Sequence, residues 1–156
     1  MPWNPNQYEL FKNQRSQPFY DLCSMVIPQE NMSIIDLGCG TGELTSTLAT
    51  RFKNCTILGI DNSPEMLAKA TPQQTHHIRF DLVDQSNFVG MFDLVISNAA
   101  LQWTDDHRFL FVTIWNHIKP GGQLAVQMPS NHNSPAHKAI RKVADLQPFN
   151  KVLGGW

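Results

Sequence analysis

Three glycines at alternating positions, Gly38, Gly40 and Gly42, separate an apolar run ending in Asp36-Leu37 from a segment with apolar residues at helical spacing. Such a loop turns tightly and lets a ligand come close to the backbone, because glycine lacks a Cβ and accepts positive φ. A second acid, Asp61, closes the apolar run Thr56-Ile57-Leu58-Gly59-Ile60. A carboxylate at the end of a second buried strand can accept two hydrogen bonds from a ribose diol. Acids at this loop disfavour a pyrophosphate and favour a ligand carrying ammonium and sulfonium charge. The spacing G-x-G-x-G differs from the dinucleotide fingerprint G-x-G-x-x-G, and no basic residue joins the glycines as a phosphate-cradling loop requires. On the residues alone, a nicotinamide site, a bare strand-to-helix turn and Asp61 as a helix-start neighbour stay open as alternatives.

No nucleophile and base pair stands out. The six histidines are scattered without a spacing such as H-E-x-x-H and read as solvent-facing or core residues, so neither a catalytic residue nor a metal site is expected. Cys23, Cys39 and Cys55 lack metal-ligand spacing and read as reduced thiols of a cytoplasmic protein.

These groups must be positioned by alternating strands and helices. Buried-strand patterns cover 33–37, 56–61, 77–82, 92–97 and 123–128, and helical patterns cover 7–13, 18–26, the stretch from Glu43, 63–70, the stretch after His107 and 134–145. Ser63 before Pro64, with Glu65 in the first turn, marks a helix start. Trp115 reads as a packing residue. The alternation predicts an α/β fold with a mostly parallel sheet covered on both faces. Right-handed crossovers then bring every strand's carboxyl end to one edge, where a ligand binds.

A chain of 156 residues is expected to form a single domain, with helices over 1–30, an α/β core over 31–130 and a trailing helix and tail over 131–156. Twelve basic and thirteen acidic residues spread along the chain leave no electrostatic footprint for nucleic acid or membrane, which points to a small-molecule or protein substrate. No apolar run is long enough to span a bilayer, and the first residues lack the pattern of a signal peptide.

The run Asp36 to Gly42 resembles the first motif of the class I S-adenosylmethionine-dependent methyltransferases, and Asp61 resembles that family's ribose-binding acid. Asp84 resembles the acid that meets the adenine amino group, and Pro120-Gly121-Gly122 resembles the family's late turn into its fifth strand. The resemblance implies a Rossmann-like three-layer fold with S-adenosyl-L-methionine as cofactor. It implies cofactor contacts from Gly38, Cys39 and Gly40 in the loop, Asn62 beside Asp61, and Gln85 beside Asp84. Met66 would pack on the purine face, Asn98 would face the methionine portion, and Arg15 would hold the methionine carboxylate.

Within that family, Trp3-Asn4-Pro5-Asn6-Gln7-Tyr8, Gln14-Arg15-Ser16-Gln17-Pro18, the run from Ser97 to His107, and Leu124 to Pro129 are similar to the trans-aconitate methyltransferases. Gln17 departs from the family pattern, which usually has a second arginine there. The implied reaction is methyl-ester formation on a carboxylate of a small polycarboxylic acid. A carboxylate is already an anion at neutral pH, so alignment and water exclusion suffice without a general base. Trp3 and Tyr8 would form a lid over the acceptor, with Gln102 and Trp103 at its floor. The resembled fold continues with two more strands, one of them antiparallel, so the last strands are expected to be missing and the sheet edge to be open. A truncated gene product, a fragment, self-association or a partner chain over that edge would account for it. The rival readings are a malonyl-carrier-protein methyltransferase and a cofactor-binding chain without transfer activity.

Overall fold

The structure, a computed structural model, describes residues 12–131 and 133–154, with side chains from Ser16 onward. Five parallel strands, β1 (Ser33–Leu37), β2 (Thr56–Asp61), β3 (Ile78–Leu82), β4 (Phe92–Asn98) and β5 (Ile118–Gln127), lie in the order β3-β2-β1-β4-β5. The helices are α1 (Lys12–Met25), α2 (Glu43–Arg51), α3 (Pro64–Ala70), α4 (His107–Asn116), α5 (Pro135–Ala144) and α6 (Phe149–Leu153). No helix among the described residues is long and apolar enough to cross a membrane.

Two cores sandwich the sheet. On one face Ile34, Ile57, Phe80, Leu94 and Ile96 meet Phe19, Leu22, Cys23 and Val26 of the α1 region, Leu48 of α2, and Leu67 and Ala70 of α3. On the other, Ile35, Leu37, Ile60 and Val95 meet Phe88 and the α4 residues Leu110 and Ile114. β1 and β2 pair along their whole length, Ser33 to Leu37 against Thr56 to Ile60, as expected of β-branched strands buried on both faces. At the amino edge, Asp93 Oδ2 accepts from Ser33 N at 2.8 Å, Ser33 Oγ at 2.9 Å and Lys119 Nζ at 2.8 Å, tying β1, β4 and β5 together.

The sequence pattern needs three corrections. The helical segment read over 18–26 belongs to a helix that begins at Lys12 and runs through Pro18; the earlier segment, 7–13, lies mostly outside the described residues. An internal proline costs about 3 kcal/mol, whereas burying the stripe Phe19, Leu22, Cys23 and Val26 returns roughly 1.5–3 kcal/mol for each large side chain, so packing prevails. β5 starts at Ile118 rather than 123, because Ile118 pairs with Phe92 before a register shift between Phe92 and Leu94. Gly121, at φ 78°, absorbs that irregularity, so Pro120-Gly121-Gly122 is a bulged part of the strand and not a turn before it. The sheet is parallel throughout the described residues, as the alternation of strands and helices predicts. Finally, Trp115 is 71% exposed: it follows the buried Ile114 by one position, a rotation of about 100°, and shares the outer face of α4 with Phe109 and Val112.

Candidate functional site

The strand order reverses between β1 and β4, and the glycine loop leaves β1 at that point, where open α/β sheets bind ligands. The backbone N–H groups of Gly38 and Cys39 both donate to Ile60 O, at 2.8 and 2.9 Å, and Gly40 N donates to Asp61 Oδ2 at 2.9 Å. Asp61 Oδ1 accepts from Ser63 N at 2.9 Å, so one carboxylate joins the glycine loop to the start of α3. Ser63 also caps that helix by accepting from Met66 N, the start that Ser63-Pro64-Glu65 signals. Across the switch point, Ser97 Oγ donates to Leu37 O at 2.7 Å. Gly38 has φ +76°, and a Cβ there would sit 2.2 Å from Ala100 Cβ, so the loop touches the turn that follows β4.

Two cavities open along this edge. The larger, about 640 Å³, is lined by Gly38, Gly40, Asp61, Asn62, Met66, Asp84, Gln85 and Trp103, all expected from the sequence. It is also lined by Ala99, Ala100, Thr104, Asp106 and Phe109, which sequence reasoning missed. A helix-start signal at Asp106, whose side chain accepts from Phe109 N at 3.0 Å, was available to find that wall. The smaller cavity, about 280 Å³, lies toward α1 and adds Ser16, Phe19, Asp36, Cys39 and Asn98. Met66, 43% exposed, lines both cavities and is not a core residue.

Gln102 lines neither cavity. Its Nε2 donates to Ala99 O at 2.7 Å, bracing a turn in which Ala99 has φ 54°, and its buried Oε1 has no partner. Among the described residues its side chain thus serves the turn that follows β4. Trp3, Tyr8 and the side chain of Arg15 lie outside the described residues. His107 and His117 bond to the carbonyls of Leu101 and Gly90, which are structural roles. No cluster among the described residues could hold a metal ion. All three cysteines are free.

The acids differ in environment. Hydrogen bonds from Ser86 hold the Asp84 carboxyl below its ordinary range, and Asn62 Nδ2 reaches Asp84 Oδ2 at 3.4 Å. Asp36 is 4% exposed and accepts from Thr45 Oγ1 at 2.6 Å. Burial pushes its carboxyl up to about 6, against the Thr45 hydrogen bond, and the Asp61 charge adds to the rise. Burial, then the Asp36 and Asp61 charges, also raises the Cys39 thiol far above its usual value, so it stays protonated and is no nucleophile.

The raised Asp36 carries a stability consequence. In the folded chain the proton is kept to about pH 6, whereas the unfolded chain releases it near 3.8, so stability falls as pH rises through that window and is level above it. The full difference is about 3 kcal/mol at neutral pH. Asp36→Asn is therefore expected to gain about 2 kcal/mol over the wild type between pH 4 and pH 7, measured as paired urea melts at the two values. An unchanged difference between the two pH values would show that burial does not perturb this carboxyl.

A family model described as a methyltransferase domain matches residues 28–152, and the chain belongs to this methyltransferase domain family. It is similar to a trans-aconitate 2-methyltransferase of Deinococcus radiodurans, 47% identical over 156 residues that cover 100% of this chain and 60% of the relative. A trans-aconitate 2-methyltransferase of Variovorax paradoxus is 38% identical over 157 residues, again covering 60% of that relative. The chain thus spans about 60% of the length of these curated relatives. Among solved structures, an S-adenosylmethionine-dependent methyltransferase from Mesorhizobium loti superposes with TM-score 0.64 at 28% identity, covering 73% of this chain and 53% of that one. Phosphoethanolamine N-methyltransferase 2 of Haemonchus contortus, solved with S-adenosyl-L-methionine, shares the fold: TM-score 0.65, 21% identity, 92% of this chain and 35% of that one.

Proposed function

We propose that this chain binds S-adenosyl-L-methionine along the β3-to-β4 edge and serves methyl-ester formation on a carboxylate of a small polycarboxylic acid. The observation that carries the cofactor reading is Asp61, held by Gly40 N and Ser63 N at the end of β2 with lone pairs to spare for two ribose hydroxyls. The rest of the cradle fits the group. Asp84, Asn62 and Gln85 are together at the end of β3 for adenine, with Met66 across the cavity. Asn98 presents a buried oxygen without a partner beside Asp36, acceptors suited to the ammonium of an amino-acid tail. Arg15 is assigned to the methionine carboxylate and Trp3 and Tyr8 to a lid, on the family resemblance alone. When bound, the cofactor supplies a methyl carbon on a positively charged sulfur, which keeps the C–S bond pair as a carboxylate oxygen takes the methyl. The protein's part is to align that oxygen, with Trp103 on the acceptor side, and to keep water out. The acid substrate is supported by the relatives' activity, and the three free thiols support a reducing, cytoplasmic setting.

Calorimetric titration with S-adenosylmethionine and S-adenosylhomocysteine, followed by an ester assay with trans-aconitate and malonyl-carrier protein, tests the reading. Binding of both cofactor forms with ester formed on trans-aconitate is expected. Ester formed only on the carrier protein would move the assignment to that acceptor. Cofactor binding without turnover would leave a binding chain, and no binding would overturn the reading altogether.

A further inference from the structure

Asp36 is a buried acid that nevertheless forms part of a cavity wall. The elements around it supply its surroundings one by one. From α2, Thr45 Oγ1 donates to its Oδ2 at 2.6 Å and Glu43 lines the same cavity, whereas Arg51, at the other end of that helix, reaches Cys23 O with its Nε at 3.1 Å. From β2 comes the Asp61 charge, from the glycine loop the Cys39 thiol, and from α1 Ser16 and the Cys23 thiol. β4 contributes Asn98, whose buried Oδ1 has no hydrogen-bond partner. No Lys, Arg or His among the described residues lines this cavity or the larger one.

Charge taken out of water with no cation beside it is unfavourable, and a hydroxyl donor offsets only part of that cost. Burial therefore outweighs the Thr45 bond, the Asp61 charge adds to it, and the carboxyl is pushed up to about 6. A cation arriving beside it reverses the balance, because an opposite charge favours the ionised acid. The amino-acid tail placed in this cavity above carries an ammonium. Its N–H donors suit two acceptors that line the one space, Asn98 Oδ1 and the Asp36 carboxylate.

We infer that cofactor binding is coupled to ionisation of Asp36, so that the site loads at neutral pH and unloads on acidification. The inference rests on the cofactor reading given above. No covalent bond to carbon changes: the tail keeps its ammonium, the Asp36 carboxyl gives its proton to solvent, and the two charges pair. The direction follows from that exchange, since binding that releases a proton is opposed as protons become more abundant. A ligand with adenine and ribose but no amino-acid tail makes no such demand.

The test is calorimetric titration of the chain with S-adenosylhomocysteine at pH 7, 6 and 5, each in two buffers of different protonation enthalpy, which counts the protons exchanged. Affinity of the wild type is expected to fall about tenfold from pH 7 to pH 5, with about half a proton released at pH 6. In Asp36→Asn, which keeps an acceptor oxygen but cannot ionise, affinity is expected to stay within about twofold across the range with no proton released. 5′-Methylthioadenosine, which lacks the tail, is expected to bind the wild type equally at pH 7 and pH 5. Carbon-13 carboxyl shifts of the wild type read the same proton without any substitution: the Asp36 midpoint is expected to move at least about one pH unit toward acid when S-adenosylhomocysteine is bound. A wild-type affinity independent of pH, the same pH dependence in Asp36→Asn or with 5′-methylthioadenosine, or a midpoint that the ligand leaves in place would each overturn the inference. A wild type that binds neither ligand at any pH would remove the cofactor reading itself and the inference with it, a separate and recognisable result.

Discussion

Asp61→Ala is expected to weaken S-adenosylhomocysteine binding by at least about 100-fold in calorimetric titration. Two losses combine. The carboxylate's remaining lone pairs no longer accept ribose hydroxyls, and hydrogen bonds to a charged acceptor are worth about 1.5–3 kcal/mol each, where every 1.4 kcal/mol is tenfold. The glycine loop also loses its tether, because Gly40 N and Ser63 N both donate to this side chain at 2.9 Å. Asp61→Asn separates the two contributions. It keeps one acceptor oxygen, so an intermediate loss of about tenfold is expected. A thermal melt of the Ala variant close to wild type would show that the loss belongs to the site. Wild-type affinity in the Ala variant would mean that β2 does not carry the ribose contact, and the proposed orientation of the cofactor would fall with it.

Gly38→Ala is the second large effect, this time on stability as well as binding. A Cβ at Gly38 would lie 2.2 Å from Ala100 Cβ, and the residue sits at φ +76°, so a side chain meets both a clash and an unfavourable backbone. Overpacking and left-handed strain together are expected to cost about 3 kcal/mol, seen as a fall in Tm of about 10 °C, with S-adenosylhomocysteine affinity lost in parallel. Ala100→Gly in the same chain removes the clash and leaves the φ strain, so it is expected to restore roughly half of the stability. No recovery in the double variant would show that backbone strain alone makes the position require glycine.

The parts of this site that the sequence displays are the ones that local chemistry governs. Asp36 and Asp61 end runs of β-branched residues, so their places at the carboxyl ends of β1 and β2 follow from a period and a boundary. Ser63-Pro64-Glu65 caps α3 through atoms within three residues of one another. What stays hidden depends on register between distant segments. Gln123 and Gln127 are the same residue type four positions apart on β5, yet the fold makes one a brace for Ile27 and leaves the other with a buried, unpaired oxygen next to Asn98. The start of β5 escapes for the same reason, since Ile118 becomes a strand residue by pairing with Phe92 across a bulge that a run of Pro-Gly-Gly signals as a turn. Trp115 is misplaced by a different route: bulk favours burial, but the phase of α4, set by Leu110 and Ile114, turns it outward.

The switch point between β1 and β4 also shapes how the chain folds. β1 pairs with β4 across the whole excursion through β2 and β3, bringing Asp36 against Ile96, sixty residues later, whereas β2 meets β1 and β3 over much shorter spans. Loop-closure entropy grows with the length enclosed, so this seam is the costlier one to form, and contacts of such separation slow folding. The glycine loop and the turn after β4 face each other across it. A ligand seated there binds only when the seam is shut, and it therefore acts as a non-covalent staple on a strand pairing that closes at high entropic cost.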